Sequence, residues 1–148
     1  MLLIAFHSQS GTSAALARAA YEAARAEYER TSLLRCCDAG ARDLGGATGF
    51  MLICAENSGR LAGGAKDLLD RCFYPLHERG HTIPYALMVS AGNDGRGAVE
   101  EARRIFRGIP FTEALEPRII RGPVTPSSLG EAADLGAGFA AGLGMGIF

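Results

Sequence analysis

Five consecutive apolar residues, Leu2-Leu3-Ile4-Ala5-Phe6, give way abruptly to the polar, hydroxyl-rich run His7-Ser8-Gln9-Ser10-Gly11-Thr12-Ser13. An apolar run without polar alternation marks a strand covered on both faces, as in a parallel sheet. From Ala14 the period changes. Leu16, Ala20, Ala23 or Ala24, and Glu27-Tyr28 recur at steps of three or four, while Arg18, Glu22 and Arg25 fall on the other side, the pattern of an amphipathic helix. Strand, polar loop and helix make the opening of a βα unit, which restricts the chain to folds in which strands and helices alternate.

The alternation continues. Thr31 to Cys36, Gly49 to Ala55, Ile83 to Ser90 and Arg118 to Arg121 read as further strands, with helices near Gly64 to Glu78, Gly97 to Arg107 and Ser128 to Leu143. Only Asp38 to Thr48 separate the second strand from the third, which demands a very short crossover helix. With right-handed crossovers, five strands fit the smaller doubly wound α/β sandwich, a five-stranded parallel sheet of order 2-1-3-4-5 with helices on both faces. No repeat, low-complexity tract or linker interrupts the 148 residues, so one domain over residues 1–148 is expected.

Charge does not select a partner. Of the residues 48% are hydrophobic and the formal net charge is only -1, which favours neither nucleic acid nor an anionic membrane surface. The first residues lack the basic head and cleavage site of a secretory signal, and no apolar run approaches the roughly 20 residues of a membrane helix. A cytoplasmic setting is expected, in which Cys36, Cys37, Cys54 and Cys72 are small buried hydrophobes rather than disulfides. They contain no CxxC, and no metal site is expected.

In doubly wound sheets a ligand lies beyond the carboxyl ends of the strands, where the winding reverses. That directs attention to three loops rich in glycine and polar residues: His7 to Ser13, Glu56 to Gly64, and Ala91 to Gly97. The first is suited to a phosphate. A helix N-terminus supplies unpaired backbone N–H groups and a positive dipole end, Ser8, Ser10, Thr12 and Ser13 add hydroxyls, and Gly11 admits close approach of the backbone. Thr12 or Ser13 is expected to cap the helix. The plainer alternative is a serine-rich cap without a ligand, yet four hydroxyls and a glycine exceed what one cap uses. His7 either faces the ligand or packs as a structural side chain. No Walker lysine and no GxGxxG follow the first strand, which argues against nucleoside triphosphates and dinucleotides at that loop.

At these residues the chain resembles the flavodoxin-like family. Ser8-Gln9-Ser10-Gly11-Thr12-Ser13 is similar to the flavodoxin phosphate loop, commonly Ser/Thr-x-Thr-Gly-x-Thr. The run Glu56-Asn57-Ser58-Gly59-Arg60 and onward to Arg71 resembles the segment after the third strand in short flavodoxin-family proteins related to NAD(P)H-dependent FMN reductases. Ser90-Ala91-Gly92-Asn93-Asp94-Gly95-Arg96-Gly97 is similar to their next flavin loop. The resemblance implies FMN held by its phosphate on the first loop, with the isoalloxazine ring between the second and third. Gly59 would present backbone groups to the ring's redox-active edge, Asn57 would hydrogen-bond the ring, and Gly92, Asn93, Gly95 and Gly97 would let the chain pass beneath it.

Flavodoxins usually sandwich the ring between Trp or Tyr side chains, and neither loop here carries an aromatic residue. Arg60 either lies over the ring as a planar cation or points into solvent, and Phe73, Tyr74 or Phe148 could reach across from a neighbouring subunit. The leading reading is an FMN-dependent redox protein, either carrying electrons to a partner protein or reducing a small acceptor with NAD(P)H. No side-chain acid or base is assigned a catalytic role. A non-redox module of the same fold, binding another phosphate-bearing ligand or acting as a scaffold, is the alternative. The apolar tail Leu135 to Phe148 suits either packing on the sheet or contact in a homo-oligomer.

Other motifs are better read without chemistry. Lys66 with Asp70, and Asp67 with Arg71, have the spacing of helix surface ion pairs. Gly142-Leu143-Gly144-Met145-Gly146 follows a helix rather than a strand, so it is no dinucleotide loop. Cys36 and Arg42 have the Cys-x5-Arg spacing of phosphotyrosine phosphatases, but Asp43-Leu44-Gly45-Gly46 does not lead into the helix that this site requires.

Overall fold

In the computed structural model, which describes residues 1–148, the opening apolar run is strand β1 (Leu2–Phe6). It pairs in parallel with β2 (Thr31–Arg35) on one edge and β3 (Gly49–Asn57) on the other. The sheet continues from β3 to β5 (Pro84–Ala91). Side chains within these uniformly apolar strands still alternate in direction. Leu3, Ala5, Phe50, Leu52, Leu87 and Val89 enter one core, and Leu2, Ile4, Met51, Ile53, Ala86 and Met88 the other. Both cores are apolar because helices cover both faces. Helices α1 (Thr12–Glu27) and α5 (Pro126–Gly144) close one side, and α2 (Ala41–Gly45), α3 (Gly63–Glu78) and α4 (Arg96–Gly108) the other.

The strand order agrees with the expected doubly wound sheet, but the sheet has seven strands rather than five. The fifth position is shared by two pieces: β6 (Thr112–Glu113) pairs with the start of β5 and β7 (Arg118–Arg121) with its end. The seventh, β4 (Arg60–Leu61), turns back antiparallel onto β3. Two-residue strands carry no periodicity, so only tertiary pairing defines them. The β6 piece is held by a polar network: Arg103 on α4 donates to both carboxylate oxygens of Glu113, each at 2.7 Å, and the Tyr85 hydroxyl donates to the same carboxylate at 2.9 Å.

The short link between β2 and β3 is resolved by the five-residue α2, with Gly40 N–H donating to Asp43 at 2.9 Å. Arg71 of α3 donates to the carbonyls of Ala39 and Cys36 at 3.0 and 2.9 Å as well as to Asp67, so it tethers this link besides forming a surface ion pair. Three cysteines are buried, but Cys37 is exposed, contrary to the expectation for all four. It lies in the turn just after β2, outside both helix layers. Burial raises the Cys36 thiol to about 12, the opposite of what a phosphatase nucleophile needs.

At the carboxyl terminus, α5 ends in a Schellman turn. Gly146 adopts φ 66°, its N–H donates to Leu143, and the Ile147 N–H donates to Gly142 at 2.9 Å. Phe148 folds back over Gly142, with its ring 5.7 Å from that of Phe139, which leaves Met145 and Ile147 exposed. The glycine-rich tail is therefore a helix end with its cap. No helix is long and apolar enough to cross a membrane.

Helices α1 and α5 touch closely because Gly136 has no Cβ: one placed there would overlap the Ala20 carbonyl. That carbonyl is backbone and cannot rotate aside. Gly136→Ala should therefore lose about 1–3 kcal/mol through overpacking, outweighing the roughly 1 kcal/mol that alanine gains over glycine in a helix. Gly138→Ala, which faces open space, should instead gain about 1 kcal/mol. Denaturant midpoints of the two variants check the opposite signs. Glu113 is held below its ordinary range by its bonds to Arg103 and Tyr85, so its ionised form favours the fold. This stabilisation is present above the unfolded carboxyl's titration and is lost as pH falls through the depressed folded one. Glu113→Gln should flatten the acid limb of a stability–pH curve.

Candidate functional site

The carboxyl ends of β1, β3, β5 and β7 all open toward one side, as parallel pairing requires, and a cleft of about 430 Å³ lies there. It is lined by Ser10, Thr12, Ala55, Glu56, Asn57, Ser90, Ala91, Gly92, Gly122 and Pro123. The volume falls in the range of small-molecule sites. Half of the lining residues are polar, and none is aromatic.

The first loop folds on itself. Gly11 N–H donates to the Ser8 hydroxyl at 3.1 Å, and Gly11 takes φ 100°, a conformation that favours glycine. Gly11 is also the N-cap of α1, in place of the expected Thr12 or Ser13. Without a capping side chain, the N–H groups of the first turn have no side-chain acceptor, and the positive helix end stays open toward the cleft. Ser10 and Thr12 line the cleft, Gln9 is exposed, and Ser13 lies buried behind the loop. The Ser13 hydroxyl is 2.9 Å from that of Ser90, also buried, at the end of β5. Two hydroxyls carry two protons and this contact uses one. Neither has a second partner within the protein, so one proton of the pair lacks a protein acceptor. His7 turns away and packs its ring against Gly64 at the start of α3.

The second loop is a β-hairpin between β3 and β4. Glu56 pairs with Leu61 and Asn57 with Arg60, which leaves Ser58 and Gly59 as the two turn residues. Both have positive φ, 51° and 74°, the signature of a type I′ turn. Gly59 meets this at no cost, whereas Ser58 is the chain's one non-glycine residue at positive φ. Asn57 lines the cleft, while Arg60 is exposed and makes no hydrogen bond. Glu56 also lines the cleft, and its carboxylate is bonded to the third loop and α4. One oxygen accepts from Gly95 N–H at 2.9 Å and the other from Ala98 N–H at 3.2 Å, so Glu56 caps α4. In return Glu101 of α4 accepts from Leu61 N–H at 2.7 Å.

The third loop presents Ala91 and Gly92 to the cleft, with Asn93 exposed. Gly95 takes φ 87° as the N-cap of α4. Gly97 lies against the Gly59 carbonyl, where a Cβ would overlap it. Asp94 pairs with Arg96 at 2.6 Å, and Arg121 donates to the Asp94 carbonyl at 3.0 Å. A fourth loop completes the cleft. Gly122, at φ 81°, donates its N–H to Ala91 at 2.9 Å and leads into Pro123. The sequence reading did not single out these two, although Gly-Pro directly after a strand is a turn signal. Ala55 also lines the cleft although its strand position reads as core, and Ser90 joins it from the start of the segment that resembles a flavin loop.

No protein-family model matches the sequence, and no curated protein matches it. The fold is shared with solved structures. An archaeal flavodoxin superposes with a TM-score of 0.84 at 17% identity, over 97% of this chain and 98% of that one. A WrbA-like flavodoxin from Agrobacterium tumefaciens gives 0.82 at 13% identity over 97% of each chain. The rubredoxin oxygen:oxidoreductase of Desulfovibrio gigas gives 0.84 at 14% identity, with 99% of this chain covering 36% of that longer one. The fold is flavodoxin-like.

Gly97→Ala tests how rigidly the second and third loops are joined. Its Cβ would meet the backbone carbonyl of Gly59, so about 1–3 kcal/mol should be lost and the amides of Leu61 and Ala98 should exchange faster. Unchanged denaturant midpoint and exchange would show that the hairpin yields freely.

Proposed function

We propose that this chain binds flavin mononucleotide in the cleft and acts as a redox protein. The observation that carries the reading is the first loop. An open helix N-terminus, Gly11 at positive φ and the Ser10 and Thr12 hydroxyls converge where flavodoxin-like architecture places a ligand, beyond the first strand. A phosphate needs donors only, and this loop offers backbone N–H groups and hydroxyls with no carboxylate among its residues. The unspent proton of the Ser13–Ser90 pair suits an oxygen-rich ligand equally well.

The ring would lie between the hairpin and the third loop. Asn57 supplies an amide there, and Gly92 brings backbone close without a side chain. FMN supplies the electron-transfer chemistry when bound. This chain's residues bind the phosphate, orient the ring and control access to it. Ordered partners of opposite charge are not favoured by the rim: Asp94 is already paired with Arg96 and bonded through its carbonyl to Arg121. This supports reduction of a small acceptor, with NAD(P)H as donor, over electron carriage to a protein with a basic docking face. The proposal includes a reducing, cytoplasmic setting, in keeping with four free cysteines.

The lack of aromatic side chains in the cleft favours a second reading, a phosphate-bearing ligand other than flavin. FMN titration followed by visible absorption and fluorescence separates the two. Saturable binding supports the flavin, and no binding at millimolar FMN overturns it. Faster bleaching of the bound flavin by NADPH than of free FMN would support the reductase, and equal rates would remove it. Gly11→Val should weaken FMN binding at least tenfold, because a β-branched residue resists φ 100°. Unchanged affinity would place the phosphate elsewhere.

A further inference from the structure

The hairpin and α4 are joined by three carboxylate hydrogen bonds and one close backbone approach that no local pattern supplies. Glu56 accepts from Gly95 and Ala98 N–H, Glu101 accepts from Leu61 N–H, and the Gly59 carbonyl packs on Gly97. Helix α4 has no capping side chain of its own, since its N-cap is Gly95. Two of its orphan N–H groups, those of Gly95 and Ala98, are satisfied instead by a carboxylate at the end of β3, 39 positions before Gly95. The start of α4 therefore depends on where the hairpin sits, and the hairpin on α4.

We propose that Glu56 is a positioning residue that sets the spacing between the second and third loops to the thickness of the flavin ring. The inference rests on the FMN reading above. Glu56 is the residue from which both loops can be governed: it lines the cleft at the end of β3, and its carboxylate grips the third loop and the first turn of α4. Aromatic side chains could adjust to a ring by turning, but neither wall has any, so the fit depends on where the backbone is held. Two charge-assisted hydrogen bonds to one carboxylate hold it more firmly than neutral ones would. The same negative charge, close behind the ring site, opposes addition of electrons to the flavin.

Glu56→Gln keeps the shape but removes the charge and turns an amide NH₂ toward one of the two N–H donors. Three quantities should be measured on wild type and variant: FMN affinity, the midpoint potentials of the bound flavin, and the concentration of inorganic phosphate that displaces FMN, corrected for FMN affinity to give the phosphate affinity itself. The expected result is FMN affinity about tenfold weaker, midpoint potentials shifted upward, and phosphate affinity within twofold of wild type, because the first loop is untouched. A role confined to capping a helix would lower the unfolding midpoint without moving the potentials. Wild-type FMN affinity and potentials in the variant would overturn the proposal, as would parallel loss of FMN and phosphate affinity. Should Glu56→Gln not fold, Glu101→Ala removes the reciprocal bond alone and should shift FMN affinity in the same direction by a smaller factor, and no shift would overturn the proposal. A wild-type protein that binds no FMN would instead overturn the flavin reading itself, and the inference with it.

Discussion

Strand β1 is hydrogen-bonded to a parallel neighbour on each edge and covered by helices on each face. A parallel strand cannot be joined to its neighbour by a tight turn, so every connection must cross a face as a helix or loop and return to the same end of the sheet. That one constraint brings the loops after β1, β3, β5 and β7 to a common edge. It also leaves the N-terminus of α1 pointing at the space between them. The cleft is thus a by-product of topology, and residues from four distant stretches of chain meet there.

Within the cleft, polar residues divide between facing the ligand space and holding the walls in place. Ser10, Thr12 and Asn57 face it. Glu56 lines it too and, with Glu101, Gly95 and Gly97, joins hairpin to helix through carboxylate bonds to backbone N–H groups and one close approach. Ser13 and Ser90 connect the first loop to the end of β5 in the same manner. These links occur where the usual means of strengthening a loop are missing: α1 and α4 both begin at a glycine that offers no capping side chain. At α1 no side chain accepts from the first turn, while at α4 a remote carboxylate takes two of the donors. Two helices with similar starts therefore differ in what they can offer a ligand.

The strand–helix alternation, the short link over Asp38 to Thr48 and the polar loop that opens the first helix were legible because each is local. Leu2 to Phe6 announces burial by having no polar residue, and Gly11 among four hydroxyls announces a helix start with unpaired N–H donors. The division of the fifth strand was not legible, since Thr112–Glu113 is too short to show a period and is held by Arg103 and Tyr85. Nor was the true N-cap of α1, because Gly11, Thr12 and Ser13 are all acceptable cap residues and only the backbone at φ 100° selects one. Arg71 looked like half of a surface pair, and its bonds to Ala39 and Cys36 cross 32 and 35 positions of sequence.

Hydrophobic period, turn chemistry and glycine placement act within a few residues, so the sequence by itself determined the kind of elements, their order and which loops carry the polar groups. Tertiary structure alone decided which side chains face the cleft and which support it. Glu56 and Asn57 are neighbours in one loop with similar polarity, yet successive residues of a strand point to opposite faces. Their side chains therefore diverge, and only the carboxylate of Glu56 reaches the N–H groups of a helix that the sheet brings alongside.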